Sequence, residues 1–219
     1  MVIVKEVDGK GKGLVAVRTI PAGTVIFTEE PLLVYRKEDQ EEGFATFFKV
    51  PGHAQYKKMD PVKRAELMKL YDPNELVTKY DGHTDAEYAK FCRIVTANDI
   101  SINNKADPND VDLGLDAVYK QFSRINHSCY PNSFTECEAG SVTHSMKAGR
   151  TIKKGQEVTI NYLGSKDGTK EDRMEDLLDT WFFKGSCEVC SLTGKASEEN
   201  DCVRMLVLQH LINVSKGRL

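Results

Sequence analysis

The chain has 219 residues, 30 Lys and Arg against 33 Asp and Glu, a net charge of −3, and 40% hydrophobic residues. That is an ordinary globular composition, long enough for one substantial domain that buries a core without disulfide staples. The balanced charge excludes an overall basic field for nucleic acid or anionic lipid, and no run approaches the ~18 apolar residues of a membrane span.

The start, Met1-Val2-Ile3-Val4-Lys5-Glu6, turns polar at once and does not read as a signal peptide. A nuclear or cytoplasmic protein with reduced thiols is expected. The six cysteines (Cys92, Cys129, Cys137, Cys187, Cys190 and Cys202) therefore read as thiols or metal ligands rather than a disulfide framework.

In chain order, three short β-branched runs come first: Val2–Val7, Leu14–Ile20 and Thr24–Glu30, cut by Asp8-Gly9, Pro21-Ala22-Gly23 and Pro31. This pattern predicts antiparallel strands. The acidic run Glu38–Glu42 reads as a solvated loop. Asp60-Pro61 is a helix start, an N-cap residue followed by proline at the first helical position, and predicts a helix to Tyr71. A second helix is expected from Asp85 to about Val95, then a polar loop over 101–111. Strands return at 140–148 and from a turn at Gly155 through Tyr162. Helices are expected over Lys170–Phe182 and from Asp201 to about Val214. Strands at both ends with helices between them give an α+β class, not alternating βαβ.

Four segments carry chemistry. Gly11-Lys12-Gly13-Leu14 lies between two expected strands, where glycine would let the backbone approach a ligand; taken alone, the segment reads first as a simple hairpin turn. Arg124-Ile125-Asn126-His127-Ser128-Cys129-Tyr130-Pro131-Asn132 packs polar groups that are costly to bury unless each is hydrogen-bonded. A polar turn or a Cys–His nucleophilic pair are its alternatives. Gly155-Gln156-Glu157-Val158-Thr159-Ile160-Asn161-Tyr162 is a turn and a strand ending in a phenol. Arg173 to Phe183 followed by Cys187-Glu188-Val189-Cys190 suggests half a zinc site, with a redox pair as the alternative.

In this order the four segments resemble the SET-domain lysine methyltransferases, nearest the SET-and-MYND branch and small fungal relatives without the MYND finger. The resemblance spans about residues 1–190. It implies a β-clip of short antiparallel strands with a C-terminal pseudoknot. The SET domain would cover 1–184 with a helical insertion at about 32–113, and 185–219 would form a post-SET segment and C-terminal helix. It further implies S-adenosylmethionine as methyl donor, contacted by Lys12, Gly13, Leu14, Asn98, Asn126, His127, Tyr162 and Phe183. Tyr162 would be the catalytic residue beside the transferred methyl. Tyr119, Phe122 and the aromatics of 181–183 are candidates for the wall of a lysine channel; of these only Phe183 rests on a motif match, and the others read equally as core. The partner implied is a protein or peptide carrying a lysine, with no direct nucleic acid or membrane contact, and the chain is expected to be a monomer. A SET fold that has lost catalysis and recruits partners is the alternative.

The family's post-SET motif reads CxCxxC and joins the cysteine of NHSC in a zinc site. Here Gly185 stands where the first cysteine belongs. Cys129, Cys187 and Cys190 are left one ligand short, with Cys202 as the candidate fourth. Cys92 and Cys137 read as small buried residues.

Overall fold

The computed structural model describes residues 1–36, 53–74, 85–102, 115–137, 141–164 and 168–215. Its strands form three small sheets. β1 (Val2–Val7) and β2 (Gly11–Ala16) make an antiparallel hairpin in register from Val2↔Ala16 to Val7↔Gly11. The turn is closed by Lys10 N donating to Val7 O at 3.0 Å, so Gly11-Lys12-Gly13-Leu14 is the start of β2 itself and not a connection between strands. The expected strand to Ile20 stops at Ala16, and Ile20 makes only a single bridge to Ile152.

β3 (Val25–Glu29) leads to β4 (Leu33–Arg36). Helices α1 (His53–Lys58), α2 (Pro61–Leu67) and α3 (Ala86–Asn98) follow. Asp60 caps α2 as expected, its carboxylate accepting from the amides of Val62 and Lys63. That helix ends at Leu67 rather than Tyr71, passing into turns closed by Lys69 N to Glu66 O and Leu70 N to Leu67 O. Asp85 caps α3 in the same way. This helix runs three residues past Val95, so Asn98 is its last residue and does not follow it.

β5 (Asp99–Ile102) takes the first two residues of the expected polar loop, Ser101 and Ile102. The rest of that loop, 103–111, and the acidic run 38–42 lie outside the described residues. β6 (Leu115–Val118) pairs antiparallel with both β4 and β5. The insertion at about 32–113 is not purely helical among the described residues, because it also carries β4 and β5, which flank β6 in one sheet.

A 3-10 turn, Phe122–Arg124, precedes β7 (Asn126–His127). Glu29, at the end of β3, fixes it by accepting from the amides of Lys120, Gln121 and Phe122. β8 (Ser133–Cys137) and β9 (His144–Ala148) complete the sheet β3-β9-β8. β10 (Glu157–Ile160) completes the sheet β1-β2-β10-β7. Pairing of β10 with β2 is antiparallel, but with β7 it is parallel, Thr159↔Asn126 and Ile160↔His127, an exception to the antiparallel pattern expected throughout.

Two apolar cores result. The helices pack Leu67, Tyr88, Phe91 and Val95 against Leu33 and Val118. The sheets enclose Leu14, Ile26, Phe122, Ile125, Met146 and Val158. α4 (Lys170–Trp181) starts at a capping box of Thr169 and Asp172. It stops at Phe182, whose φ of +64° is left-handed and turns the chain back toward the sheets. α5 (Gly194–Ser215) begins seven residues before the expected Asp201. Among the described residues no helix is long and apolar enough to cross a membrane.

Candidate active site

The site is organised by β10. Beside it, β7 holds its parallel register through Ser128 N donating to Ile160 O at 2.9 Å. Asn132 then works as a side-chain clamp on the same strand. Its Nδ2 donates to Glu157 O at 2.8 Å and its Oδ1 accepts from Thr159 N at 3.0 Å. Ser133 Oγ donates to Thr159 O at 2.8 Å. The polar run 124–132 and the turn-strand 155–162 are thus one unit. Its buried polar groups are paired, as burial requires.

Glu157 is the hub of the next layer. One carboxylate oxygen accepts from Asn126 Nδ2 at 2.7 Å and the other from Lys10 Nζ at 2.9 Å. Gly13 lies against this pair. A Cβ there would stand 2.6 Å from Glu157 Oε1 and 2.8 Å from Asn126 Nδ2. Glycine is needed for that close approach and not for a turn.

His127 is 4% exposed and its Nδ1 accepts from the Tyr162 amide at 3.1 Å. The neutral ring therefore carries its proton on Nε2, which faces Cys129 Sγ at 3.3 Å. Burial, above all, pushes this imidazole down to about 4, so it is neutral at pH 7. With its lone pair engaged by a backbone amide, His127 is a positioning group and not a free base.

Tyr162 follows β10 by two residues. Its hydroxyl donates to Ile125 O, and burial raises its ionisation so that it stays a neutral phenol. Its ring meets His127 at 5.4 Å, Trp181 at 5.3 Å and Phe183 at 6.0 Å between centroids. The left-handed Phe182 makes this possible by returning Phe183 to the sheet edge.

These groups border a cavity of about 600 Å³, within the range of small-molecule sites. Lys12, Asn98, Asn126, His127, Tyr162 and Phe183 line it. Gly13 and Leu14 do not. Gly13 lies beneath the Asn126–Glu157 pair, and Leu14, alternating to the other face of β2, is 1% exposed in the sheet core. Tyr119 and Phe122, expected as channel-wall candidates, are also core residues, at 0% and 1% exposure, and Tyr119 donates its hydroxyl to Val142 O. Of the aromatics at 181–183, Trp181 and Phe183 line the cavity.

Sequence reasoning missed the wall formed by Lys69–Asp72. Asn98 holds it by donating to Tyr71 O at 2.8 Å, and Arg93 holds Asp72 through two hydrogen bonds. With its amide also donating to Ile94 O, Asn98 has only its acceptor oxygen left to meet a ligand. Glu157 was missed as well. Its place opposite Gly13 appears only in the folded chain.

Behind His127 lies a second cluster. The sulfurs of Cys129, Cys187 and Cys190 are buried and within 4.8 Å of one another, with Cys129 and Cys190 at 3.4 Å. Hydrogen bonds from Cys129 and Cys190 hold the Cys187 thiol well below its ordinary range. Zinc–sulfur bonds of ~2.3 Å in a tetrahedron set sulfurs ~3.8 Å apart, so this donor set fits three of the four positions. Cys202 does not supply the fourth, because it is exposed on α5 and outside the cluster. Of the remaining cysteines, Cys92 is buried in the helical core, while Cys137 is half-buried and donates to Ser141 O.

A fold of short strands around a cavity bounded by an Asn-His pair and a strand-end phenol is the architecture of a SET domain. The family model described as SET domain matches residues 11–163, and the chain belongs to that family. It is 37% identical over 80 residues to the histone-lysine N-methyltransferase SET5 of Meyerozyma guilliermondii, covering 36% of this chain and 16% of that protein. It is 25% identical over 190 residues to the histone-lysine N-methyltransferase set5 of Schizosaccharomyces pombe, covering 86% and 50%. To the human N-lysine methyltransferase SMYD2 it is 33% identical over 79 residues, covering 36% and 18%. The matched stretches thus account for half or less of these relatives' lengths.

Proposed function

We propose that this chain is a protein-lysine N-methyltransferase that takes its methyl group from S-adenosylmethionine. The observation that carries the reading is the convergence of Asn126, His127, Tyr162 and Phe183 on one cavity. When bound, the sulfonium cofactor supplies an already electrophilic methyl group. The chain's residues then have three tasks.

The first is to hold the cofactor. Phe183 offers an aromatic face, Asn98 an acceptor, and the Asn126-His127 strand a fixed edge. The second is to align an amine with the methyl, which is mainly an entropic task. Tyr162 suits it, because its neutral hydroxyl, which donates to Ile125 O, keeps lone pairs that can accept from an amine without adding charge. The third is to keep that amine neutral. Free lysine has a pKa of about 10.4, and the aromatic walls of Tyr162 and Trp181 disfavour its ammonium form. The amine's proton leaves to water, since His127 has no free lone pair to take it.

The proposed partner is a protein or peptide lysine, histone or not, met by a monomer in the nucleus or cytoplasm without nucleic acid or membrane contact. Gly185 in place of a fourth cysteine favours one second reading, a SET-fold module that binds partners without catalysis.

Purified chain incubated with methyl-labelled S-adenosylmethionine and cell lysate separates the two. Label recovered as methyl-lysine after hydrolysis supports the enzyme. Absence of label on any protein, with the cofactor bound or not, rejects it.

A further inference from the structure

We propose that Glu29 is a positioning residue for the phenol of the site. From outside the cavity its carboxylate holds the turn at 120–125, and the carbonyl that ends this turn, Ile125 O, orients the Tyr162 hydroxyl. This deepens the methyl-transfer reading and rests on it for its kinetic consequence, though not for its structural one.

The 3-10 turn Phe122–Arg124 has no cap of its own. Gln121 stands at its N-cap position and makes no side-chain cap bond. The first amides of a helical turn find no acceptor within it. Here one carboxylate, 91 to 93 residues earlier in the chain, meets them. Glu29 Oε1 accepts from Lys120 N at 3.0 Å and from Gln121 N at 2.9 Å. Its Oε2 accepts from Gln121 N and Phe122 N, each at 3.0 Å. Converging amides carry partial positive charge, so an anion is the fitting acceptor for them.

Other contacts turn this cap into a rigid mount. Phe27, on the same strand as Glu29, packs edge-on against Phe122 with ring centroids 5.0 Å apart. From the opposite side Ser123 Oγ accepts from Tyr119 N at 3.2 Å and donates to Asn98 O at 2.9 Å, which ties in the end of α3. The turn closes through Arg124 N donating to Gln121 O at 2.9 Å and Ile125 N to Phe122 O at 3.0 Å.

What the mount carries is the site. Ser123 and Arg124 line the cavity, and Asn126 and His127 follow directly as β7. Ile125 O accepts the hydroxyl proton of Tyr162. A phenol has a single proton, and the acceptor of that proton decides where its lone pairs point. Ile125 O therefore sets which side of the hydroxyl is offered to the cavity. Glu29 is not among the residues lining the cavity, so it acts on Tyr162 through the turn alone. Its neighbour Glu30 is exposed and makes none of these bonds.

The test uses the full chain with carbon-13 at the tyrosine ζ positions, the Tyr162 signal being identified by its absence in Tyr162→Phe. Glu29→Gln keeps the volume but puts an N–H group where a carboxylate oxygen met an amide. It should shift the Tyr162 signal of the folded, cofactor-free chain. With lysate protein as acceptor, turnover should fall about tenfold and S-adenosylmethionine affinity should stay within about threefold, the pattern of a displaced group at the reacting atoms. In Tyr162→Phe the same substitution should cost less than about twofold more, because the hydroxyl it orients is gone. Glu30→Gln should leave signal and turnover unchanged. Ser123→Ala loosens the turn from the α3 side and should move the same signal, so it decides the matter if Glu29→Gln does not fold. The proposal is overturned by an unmoved Tyr162 signal in Glu29→Gln, by losses that add fully in the double variant, or by Glu30→Gln acting like Glu29→Gln. A parent that transfers no methyl refutes the methyl-transfer reading, while the tyrosine signal still decides the positioning role.

Discussion

The two sides of His127 are built differently. On the cavity side, strand pairing and side-chain hydrogen bonds hold the site together. β7 lies parallel to β10, Asn132 clamps β10 at two points, and Glu157 fixes Asn126 and Lys10. On the cluster side, three sulfurs from distant segments meet, with one backbone amide, Cys129 N, donating to Cys187 Sγ, and Gly185 stands beside them. The first side is complete as protein. The second offers three ligand atoms that could hold a metal ion. A site made from strand register is robust to the loss of one contact, whereas a site made from three thiols depends on what binds there.

The largest effect expected falls on the complete side. Tyr162→Phe removes the hydroxyl but keeps the ring contacts with His127, Trp181 and Phe183. Turnover should fall about 100-fold or more, the scale of losing a positioned polar group at the reacting atoms. Cofactor affinity should stay within about threefold. Steady-state methyl-transfer kinetics and a binding titration together check this, and equal losses in both would blur the division between chemistry and binding.

Acid comes next, because it tests His127 itself. Burial pushes His127 down to about 4, and burial lowers His144 as well. In the unfolded chain each takes a proton near its usual value of about 6.5. The folded chain resists, so the unfolded state binds more protons in this window. Stability is therefore intact above about pH 6.5 and falls as pH drops toward about 4, by on the order of 3 kcal/mol from His127 alone. Urea unfolding at several pH values reads the slope. His144→Gln should remove part of it, and a flat profile in the parent would contradict the buried-neutral assignment.

Gly13→Ala probes the hub. The added methyl meets Glu157 and Asn126 side chains at under 3 Å, and overpacking of this kind costs ~1–3 kcal/mol. Cofactor affinity should weaken about tenfold because Asn126 must move. The three buried thiols should keep their slow reaction with a thiol reagent, which would sharpen the separation of the two sides. Loss of both would show them to be one cooperative unit.

The smallest effect belongs to Thr169→Ala. It breaks the capping box of α4 and should cost ~1 kcal/mol, seen as a drop of about 2–4 °C in melting temperature. Methyl transfer at low temperature should be unchanged, since Trp181 and Phe183 lie at the far end of the helix.

Much of this division was legible in the sequence. The run Asn126–Asn132 stood out because its consecutive polar residues are costly to bury unpaired, and only the family resemblance joined it to the strand from Glu157. Asp60 announced its helix start through local capping, and the helices starting near Asp85 and Lys170 were also expected, although the caps of Asp85 and Thr169 emerged only with the coordinates. The unread parts were tertiary. An aromatic in a short strand looks the same whether it lines a channel or a core, so Tyr119 and Phe122 read as channel candidates and are core. Lys69–Asp72 reaches the cavity only because Asn98 and Arg93 tie it down from another helix. Leu14 follows Gly13 in sequence but faces the opposite side of β2, and a motif quoted as four consecutive letters hides that alternation. Gly185 was visible as a gap in a cysteine pattern. That Met174 borders the gap required coordinates.

The cofactor cavity is tested most directly by melting the reduced chain with increasing S-adenosylmethionine. A ligand of the native state at 100 times its dissociation constant stabilises by about 2.7 kcal/mol. For a chain of this length that is a rise of roughly 5–10 °C, growing with concentration. The account predicts such a rise in the parent and a much smaller one in Gly13→Ala. A melting temperature indifferent to saturating S-adenosylmethionine would contradict it.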